Sequence, residues 1–551
     1  MDLNGSHRKW PTAGRRCPSF EQIFLLFASM SIFSIMMLIN VDVSKGGSGI
    51  LWAGDLGLEQ NPRLPAIRQM AMPAMKTIVA YSPEKQAEMD RKFPIFCDVP
   101  PKPPTARKKD GFWQDISNTG ISLYSGYYDD RTPEQPFIRI LAVTNGTPIE
   151  ELGSFYCQTW TTGEDNALPS RLEIVEATVT QIWWSEWDPG TRDTITPLLV
   201  SCALTAPKYA SFITTVTEDP CESSSFVLAI KPPNFSDYVR NFTVCVKDMS
   251  FQNDISVRLV EWFELLKLLG AEKIDLYVGY IPNAVRRVLE YYSEQGIASV
   301  RDAPRPLAAS LWQRRRDHLL AYNDCLYRNL RNSKYIVPLD IDEMIVPRNV
   351  QTWSQLLEDL QPLEKEAPGA ASLAVSNAFF FDSFNVDYTT TEITNKMKIS
   401  FPESKYNLKE RRKYGEQNKK VEGHKINGSL MEAFEVNLIA VDVKEASKEM
   451  EDVPHTLKHL HRSALVSPAP EYSKSFVSTA RALTVFNHYA LGALAGAERA
   501  RAVPPSKALL HHYKAACQPA LVDCQLYTTL SVKDDTLLRL AGDLVLSINK
   551  V

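Results

Sequence analysis

Residues 335–347 read YIVPLDIDEMIVP. Three carboxylates, Asp340, Asp342 and Glu343, stand inside a run that is otherwise apolar. An ionised carboxylate in a core is very costly unless a cation or a hydrogen-bond network compensates it. The stretch therefore either has a compensating partner or ends a strand where the core opens into a cleft.

The residues before it favour the strand end. Asn241–Lys247 (NFTVCVK) predicts a strand, and Ile255–Leu269 carries apolar residues at helical spacing until Gly270 stops it. Lys273–Tyr280 predicts a second strand, and Asn283–Gln295 a second helix capped by Asn283 and ended by Gly296. Ile297–Arg301 predicts a third strand, Arg316–Arg331 a third helix, and Tyr335–Leu339 a fourth strand. This alternation means βαβ units and a parallel, doubly wound sheet, in which ligands bind beyond the carboxyl ends of the strands. Asp340 and Asp342 fall at that end of the fourth strand. Residues i and i+2 of a strand share a face. The two aspartates are thus expected to project together, with Ile341 turned into the core and Glu343 pointing away from Asp342. Paired carboxylates repel unless a cation joins them, and oxygen ligands suit Mg²⁺ or Mn²⁺. Such an ion would also hold a diphosphate and neutralise it as it leaves. A solvated, aspartate-rich loop or helix cap is the competing reading of D-x-D.

Outward from this centre the chain of 551 residues is of ordinary globular composition, 44% hydrophobic and 23% charged, which excludes a wholly disordered protein. Its net charge of −4 favours neither a nucleic acid nor an anionic membrane surface as partner. Ile23–Ile39 (IFLLFASMSIFSIMMLI) is a run of 17 residues without a charge, preceded by Arg8, Lys9, Arg15 and Arg16. It reads as an uncleaved signal anchor with a cytoplasmic N-terminus, against the alternative of a cleaved signal peptide, for which no small-x-small site follows. Eight of the nine cysteines follow the anchor, enough for up to four disulfides in an oxidising lumen, with Cys517 and Cys524 close enough to pair locally. Sequons stand at Asn145, Asn234, Asn241 and Asn427. The expected organisation is a cytoplasmic tail (1–19), a transmembrane helix (20–40), a Gly- and Pro-rich stem (41–107), a β-rich accessory domain (108–237) and an α/β catalytic domain (238–545).

Several segments together resemble glycosyltransferase family 92: YNDCLYRNLRNSKYIVPLDIDEMIVP (322–347), LVEWFELLKLLGAEKIDLYVGYIPNAVRRVLEYYSEQGI (259–297), SNAFFF (376–381) and ALLHHYK (508–514). The likeness runs in order from about residue 110 to 530 and departs from the family over 409–471 and at KSFVSTARA (474–482). The resemblance implies a GT-A-like, Rossmann-type, mostly parallel sheet. It also implies a Golgi type II membrane enzyme that moves galactose from UDP-galactose to a terminal sugar of N-glycans, in β1,4 linkage, with inversion and with Mn²⁺ or another divalent cation. On that reading Asp340 and Asp342 hold metal and donor. His512, favoured over His511, completes the metal shell. Val246, Lys247, Asp248 and Tyr280, at the ends of the first two strands, receive the UDP-sugar. Lys474 and His488 are further cleft candidates, and Asp382 is the candidate general base. Arg314, Arg315 and Arg316 could fork a diphosphate, although a solvated helix start suits them as well. Two other classes compete: a luminal lectin-like protein without turnover, and a glycosidase using paired carboxylates.

Overall fold

A computed structural model describes residues 97–103, 113–116, 119–132, 135–162, 171–184, 194–204, 211–230, 238–365, 369–384, 453–470, 472–494, 496–519 and 522–551. The expected anchor, most of the stem, and the sequons at Asn234 and Asn427 lie outside the described residues, among which no helix is long and apolar enough to cross a membrane.

The first described part is all β: β1 (Gln114–Ile116), β2 (Ile121–Asp129), β3 (Phe137–Asn145), β4 (Tyr156–Thr162), β5 (Arg171–Glu176), β6 (Thr178–Gln181), β7 (Ile195–Ala203), β8 (Ser211–Thr217) and β9 (Leu228–Ile230). They form two antiparallel sheets, ordered β1-β2-β3-β7-β6 and β5-β4-β8-β9. Their inner faces share one core, including Leu123, Ile140 and Val200 from the first sheet and Val216 and Leu228 from the second. The sheets approach closely at Gly126, where an added Cβ would stand 2.4 Å from the Ile230 Cδ1, so a larger residue would have to displace that side chain. Cys157–Cys202 ties sheet to sheet, and Cys97–Cys221 fastens the incoming chain.

The alternating part follows as β10 (Arg240–Met249), α1 (Ser256–Leu269), β11 (Lys273–Val278), α2 (Asn283–Glu294), β12 (Ala298–Asp302), α3 (Leu311–Arg328), β13 (Ser333–Pro338), β14 (Glu343–Pro347), α4 (Trp353–Lys365), β15 (Ser372–Val375) and β16 (Asn377–Phe381). Past residue 452 come α5 (His455–Lys458), β17 (His461–Ser463), β18 (Lys474–Ser478), β19 (Ala482–Val485), β20 (Ala490–Ala493), β21 (Arg501–Val503), β22 (Ala508–Lys514), α6 (Cys524–Thr528), β23 (Ser531–Lys533) and α7 (Ala541–Ile548). The main sheet has the order β12-β11-β10-β13-β18-β15-β21, and only β18 runs against the others. The first four strands are the parallel set expected from the alternation, and strand order reverses between β10 and β13, which is where such sheets open a crevice. The antiparallel β18 and the separate small sheet β14-β22-β16 have no counterpart in the local pattern.

Local chemistry explains the boundaries. Gly270 ends α1 in the left-handed conformation (φ 110°), its N–H returning to the Leu266 and Lys267 carbonyls. Two expectations shift: the cap of α2 is Pro282 rather than Asn283, and α3 begins at Leu311 behind Ser310, whose hydroxyl accepts the Gln313 N–H. The longer start places Arg316 inside the helix, buried, with its guanidinium 4.3 Å from the Trp183 ring centre, so it neither caps the helix nor meets solvent. The β-sandwich leans on α3 and β19 through polar as well as apolar contacts. Tyr127 donates to Asp324, Gln313 exchanges two 2.9 Å hydrogen bonds with the Ile195 backbone, and Arg131 donates to the Thr479 and Ala482 carbonyls at 2.7 and 2.5 Å. Cys245–Cys325 joins β10 to α3 beneath the crevice.

Candidate functional site

The parallel ladder between β10 and β13 closes where the Leu339 N–H reaches the Cys245 carbonyl at 3.0 Å. The chain then turns: the Glu343 N–H donates to the Asp340 carbonyl at 3.0 Å, and β14 leaves for the small sheet. D-x-D therefore sits in the turn that carries the chain from one sheet to the other, not on a strand as expected. The two aspartates converge on one patch all the same. The turn also corrects the reading of Glu343, which folds back into the cluster. Its Oε2 accepts the Asp340 N–H at 3.2 Å, and its Oε1 lies 3.3 Å from the His512 Nδ1.

The opposite wall comes from β22, whose His512 stands in register with Glu343. Strand period two puts His512 and Lys514 on the site face and His511 and Tyr513 on the other. His511 is buried against Phe380, and burial lowers its pKa to about 4. His512 Nε2 is 3.6 Å from an Asp342 oxygen, and the Lys514 ammonium is 2.6 Å from it. Asp340 is held from the other side by Lys247 on β10 at 3.1 Å and Lys474 on β18 at 3.3 Å, and Lys474 reaches Glu343 at 3.2 Å.

Burial alone would raise both aspartates. Lys247 and Lys474 outweigh it at Asp340, and His512 with Lys514 outweighs it at Asp342, so both stay ionised well below the usual carboxylate range. Burial lowers Lys247 despite Asp340, whereas at Lys474 the pull of Asp340 and Glu343 overcomes burial and raises it. His488, with Nδ1 donating to the Ser473 carbonyl, is pushed down to about 3 by burial and then by Lys474.

A divalent ion fits this donor set. His512 Nε2 is buried and makes no hydrogen bond among the described residues. Its 3.6 Å separation from Asp342 is too long for a hydrogen bond. It suits two ligands of one ion with bonds of about 2.1 Å.

The other expected residues scatter. Asp248 accepts from Ser250 and lies 4.0 Å from His318 Nε2. Tyr280, 66% exposed, follows β11. Val246 is corrected: its side chain belongs to the main core, so only its backbone can face a ligand. Lys514 carries no expectation, although its i+2 spacing from His512 is a legible signal. The Arg315 guanidinium carbon lies 4.6 Å from the Trp312 ring centre, one turn earlier on α3.

Asp382 stands outside the cluster, half exposed, after β16. Its Oδ1 is 2.8 Å from the His459 Nε2. A small pocket has walls that include Arg258, Trp262, Asp342, His455 and Tyr513. Burial, His459 and Arg258 lower His455 to about 3.

Comparison with known proteins gives these observations a context. A curated relative, "Beta-1,4-galactosyltransferase galt-1" of Caenorhabditis elegans, is 30% identical over 131 residues, which is 22% of this chain and 30% of the relative's own length. Among solved structures, "WbbM bifunctional glycosytransferase apo structure" aligns with a TM-score of 0.15 and 10% identity over 28% of this chain and 27% of that one. A glycosyl hydrolase family 2 member from Bacteroides cellulosilyticus aligns with a TM-score of 0.13 and 10% identity over 44% of this chain and 33% of its own. These two likenesses bear on neither fold nor chemistry. The family model for glycosyltransferase family 92 matches residues 240–537, from the first strand of the parallel set past β22 and the turn that carries D-x-D. The chain is a member of glycosyltransferase family 92.

Proposed function

We propose that the chain transfers galactose from UDP-galactose to a terminal β-galactose or fucose of glycoprotein N-glycans, in β1,4 linkage with inversion, using Mn²⁺ on a GT-A-like sheet. The observation that carries the proposal is the convergence of Asp340, Asp342, Glu343 and His512 with three lysines at the point where strand order reverses. The charges of this patch are informative. Asp340, Asp342 and Glu343 are offset one for one by Lys247, Lys474 and Lys514, so the patch folds without a net charge. A divalent ion held by Asp340, Asp342 and His512 adds two positive charges, which match the two negative charges of a nucleotide-sugar diphosphate. Such an ion supplies Lewis-acid stabilisation of the departing phosphates. Lys247 and Lys474 meanwhile keep Asp340 ionised and aimed into the crevice, and Lys514 does the same for Asp342. Asp248, in the last residues of β10, and Tyr280, just past β11, are the residues assigned to ribose and uracil in this proposal. Asp382, the candidate base, is bonded to His459 outside the Asp340–Asp342–His512 patch.

Residence in the Golgi lumen through the Ile23–Ile39 anchor belongs to the same proposal. It is supported by the four disulfides, which use all eight cysteines that follow that run. The test is Asp342→Ala in the full-length chain, assayed with labelled UDP-galactose, Mn²⁺ and a glycan panel. Transfer should vanish while the chain remains folded, and retained transfer refutes the role.

A further inference from the structure

Asp382, His455 and His459 form a second cluster that the transferase reading does not use. A ring nitrogen from each histidine and a carboxylate oxygen of Asp382 all lie within 4.8 Å of one another. We propose that these three side chains hold a zinc-class divalent cation, at a site separate from the Asp340–Asp342–His512 patch.

His459 Nδ1 lies 2.8 Å from the His455 carbonyl, which can only accept, so Nδ1 carries a hydrogen. The other nitrogen, Nε2, faces the Asp382 Oδ1 at 2.8 Å. Two lone pairs at that distance need something positive between them. A proton would serve His459 and Asp382 alone, whereas a cation also gives a role to His455, whose ring lies 4.2 Å from that of His459. A histidine whose Nδ1–H is held on a main-chain carbonyl presents Nε2 as its ligating nitrogen, the usual posture at a metal, and here that nitrogen meets Asp382.

The scaffold is built to hold this arrangement. Glu261 on α1, itself 4% exposed, accepts the backbone N–H groups of His455 and Thr456 at 2.7 Å each, as well as the Thr456 hydroxyl. It thereby fixes α5 and the four-residue spacing that brings both imidazoles to one side. Asp382 arrives from the end of β16 in the small sheet. Two imidazoles and one carboxylate suit Zn²⁺ better than Mg²⁺ or Ca²⁺, which prefer all-oxygen shells. Bonds of about 2.1 Å would set the three ligand atoms roughly 3.4 Å from one another, which opens the 2.8 Å His459–Asp382 pair by a few tenths of an ångström and stays inside the 4.8 Å spread of the cluster. The half-exposed Asp382 leaves an open side for entry and for a water as fourth ligand.

The consequence is a clamp. Asp382 and His455 are 73 positions apart in the chain, and a shared cation joins the two ends of that stretch. It would also pin the His455 wall of the pocket that Asp342 borders on its other side.

The test uses the purified full-length chain, stripped with a chelator and then titrated with Zn²⁺ alone. Uptake is read by elemental analysis, by the absorption of substituted Co²⁺ and by melting temperature. Asp342→Asn removes the other site from the count. That variant should still take up one Zn²⁺ and melt higher with it. His455→Gln and Asp382→Asn, each combined with Asp342→Asn, should weaken uptake by at least about 10-fold, the scale on which even outer-sphere partners of a metal act. Asp382 is half exposed, so its variant serves if His455→Gln does not fold. Equal uptake by the combined variants overturns the proposal. So does the absence of stoichiometric Zn²⁺ on the Asp342→Asn variant, which would leave the Asp382–His459 pair to a shared proton. Because the readout is binding, failure here leaves the transferase assay untouched, and the reverse also holds.

Discussion

Replacing Lys474 by methionine keeps the length and most of the volume of the side chain and removes only the charge. In the folded chain that ammonium is 3% exposed and lies 3.3 Å from an Asp340 oxygen and 3.2 Å from a Glu343 oxygen. Each pair is worth about 5 kcal/mol of attraction at an effective dielectric constant of about 20. Most of that is offset by the desolvation of the lysine, which the variant no longer bears. What remains is the penalty of leaving carboxylates without one of their cations, about 3–5 kcal/mol for a buried pair broken from one side. At about 2 °C per kcal/mol the melting temperature should fall by roughly 6–10 °C at pH 7.5. The sign of the pH dependence is specific. In the unaltered chain Asp340 is held well below its ordinary value, so its contribution is present above about pH 4 and is lost only as pH falls through the lowered value. Without Lys474 a carboxylate left behind is raised. The deficit should be largest at pH 8 and should shrink towards pH 5, as that group takes up a proton and its unpaired charge disappears. Melting curves followed by fluorescence across this range decide the matter. A deficit below about 1 kcal/mol, or one that does not change with pH, refutes the account of Lys474 as the counter-charge of the patch.

Glu343→Gln keeps the shape but removes the charge facing Lys474 and His512; it should destabilise by about 1–3 kcal/mol and weaken Mn²⁺ binding, measured by calorimetry. Changing Cys245 and Cys325 together to alanine opens a link spanning 80 residues and should lower stability by about 4.5 kcal/mol on the chain-entropy account, read by denaturant titration. Asp324→Asn removes the charge and one of the two accepting oxygens that Tyr127, Tyr277 and Arg328 share, and should cost about 3–5 kcal/mol, with the β-sandwich becoming protease-sensitive first.

Much of the frame is legible in the sequence because it is local. The 3.6-residue and two-residue periods of 241–339 mark three helices and four strands, and Gly270 announces the end of the first helix. The Asp340–Asp342 pair is conspicuous because charge interrupts an apolar run. What escapes is non-local. The antiparallel insertion of β18, which delivers Lys474, and the pairing of β14 with β22, which sets His512 opposite Glu343, join segments more than 130 residues apart. Glu343 is misread for a related reason. Alternation along a strand predicts that it points away, but the Asp340–Glu343 turn breaks the alternation one residue earlier. Val246 differs from its neighbour Lys247 because side chains alternate along the strand end and its own falls on the buried face.

The seam between the β-sandwich and α3 has a practical consequence. Cutting the chain at the family boundary near residue 240 would strip Asp324 of the Tyr127 hydroxyl, take Trp183 from the face of Arg316 and bare the apolar side of α3 to water. The excised piece would be sticky rather than minimal. The shortest recombinant fragment worth making starts upstream of Cys97, and homologues swapped at residue 240 would need both sides of that seam to be exchanged as one cassette.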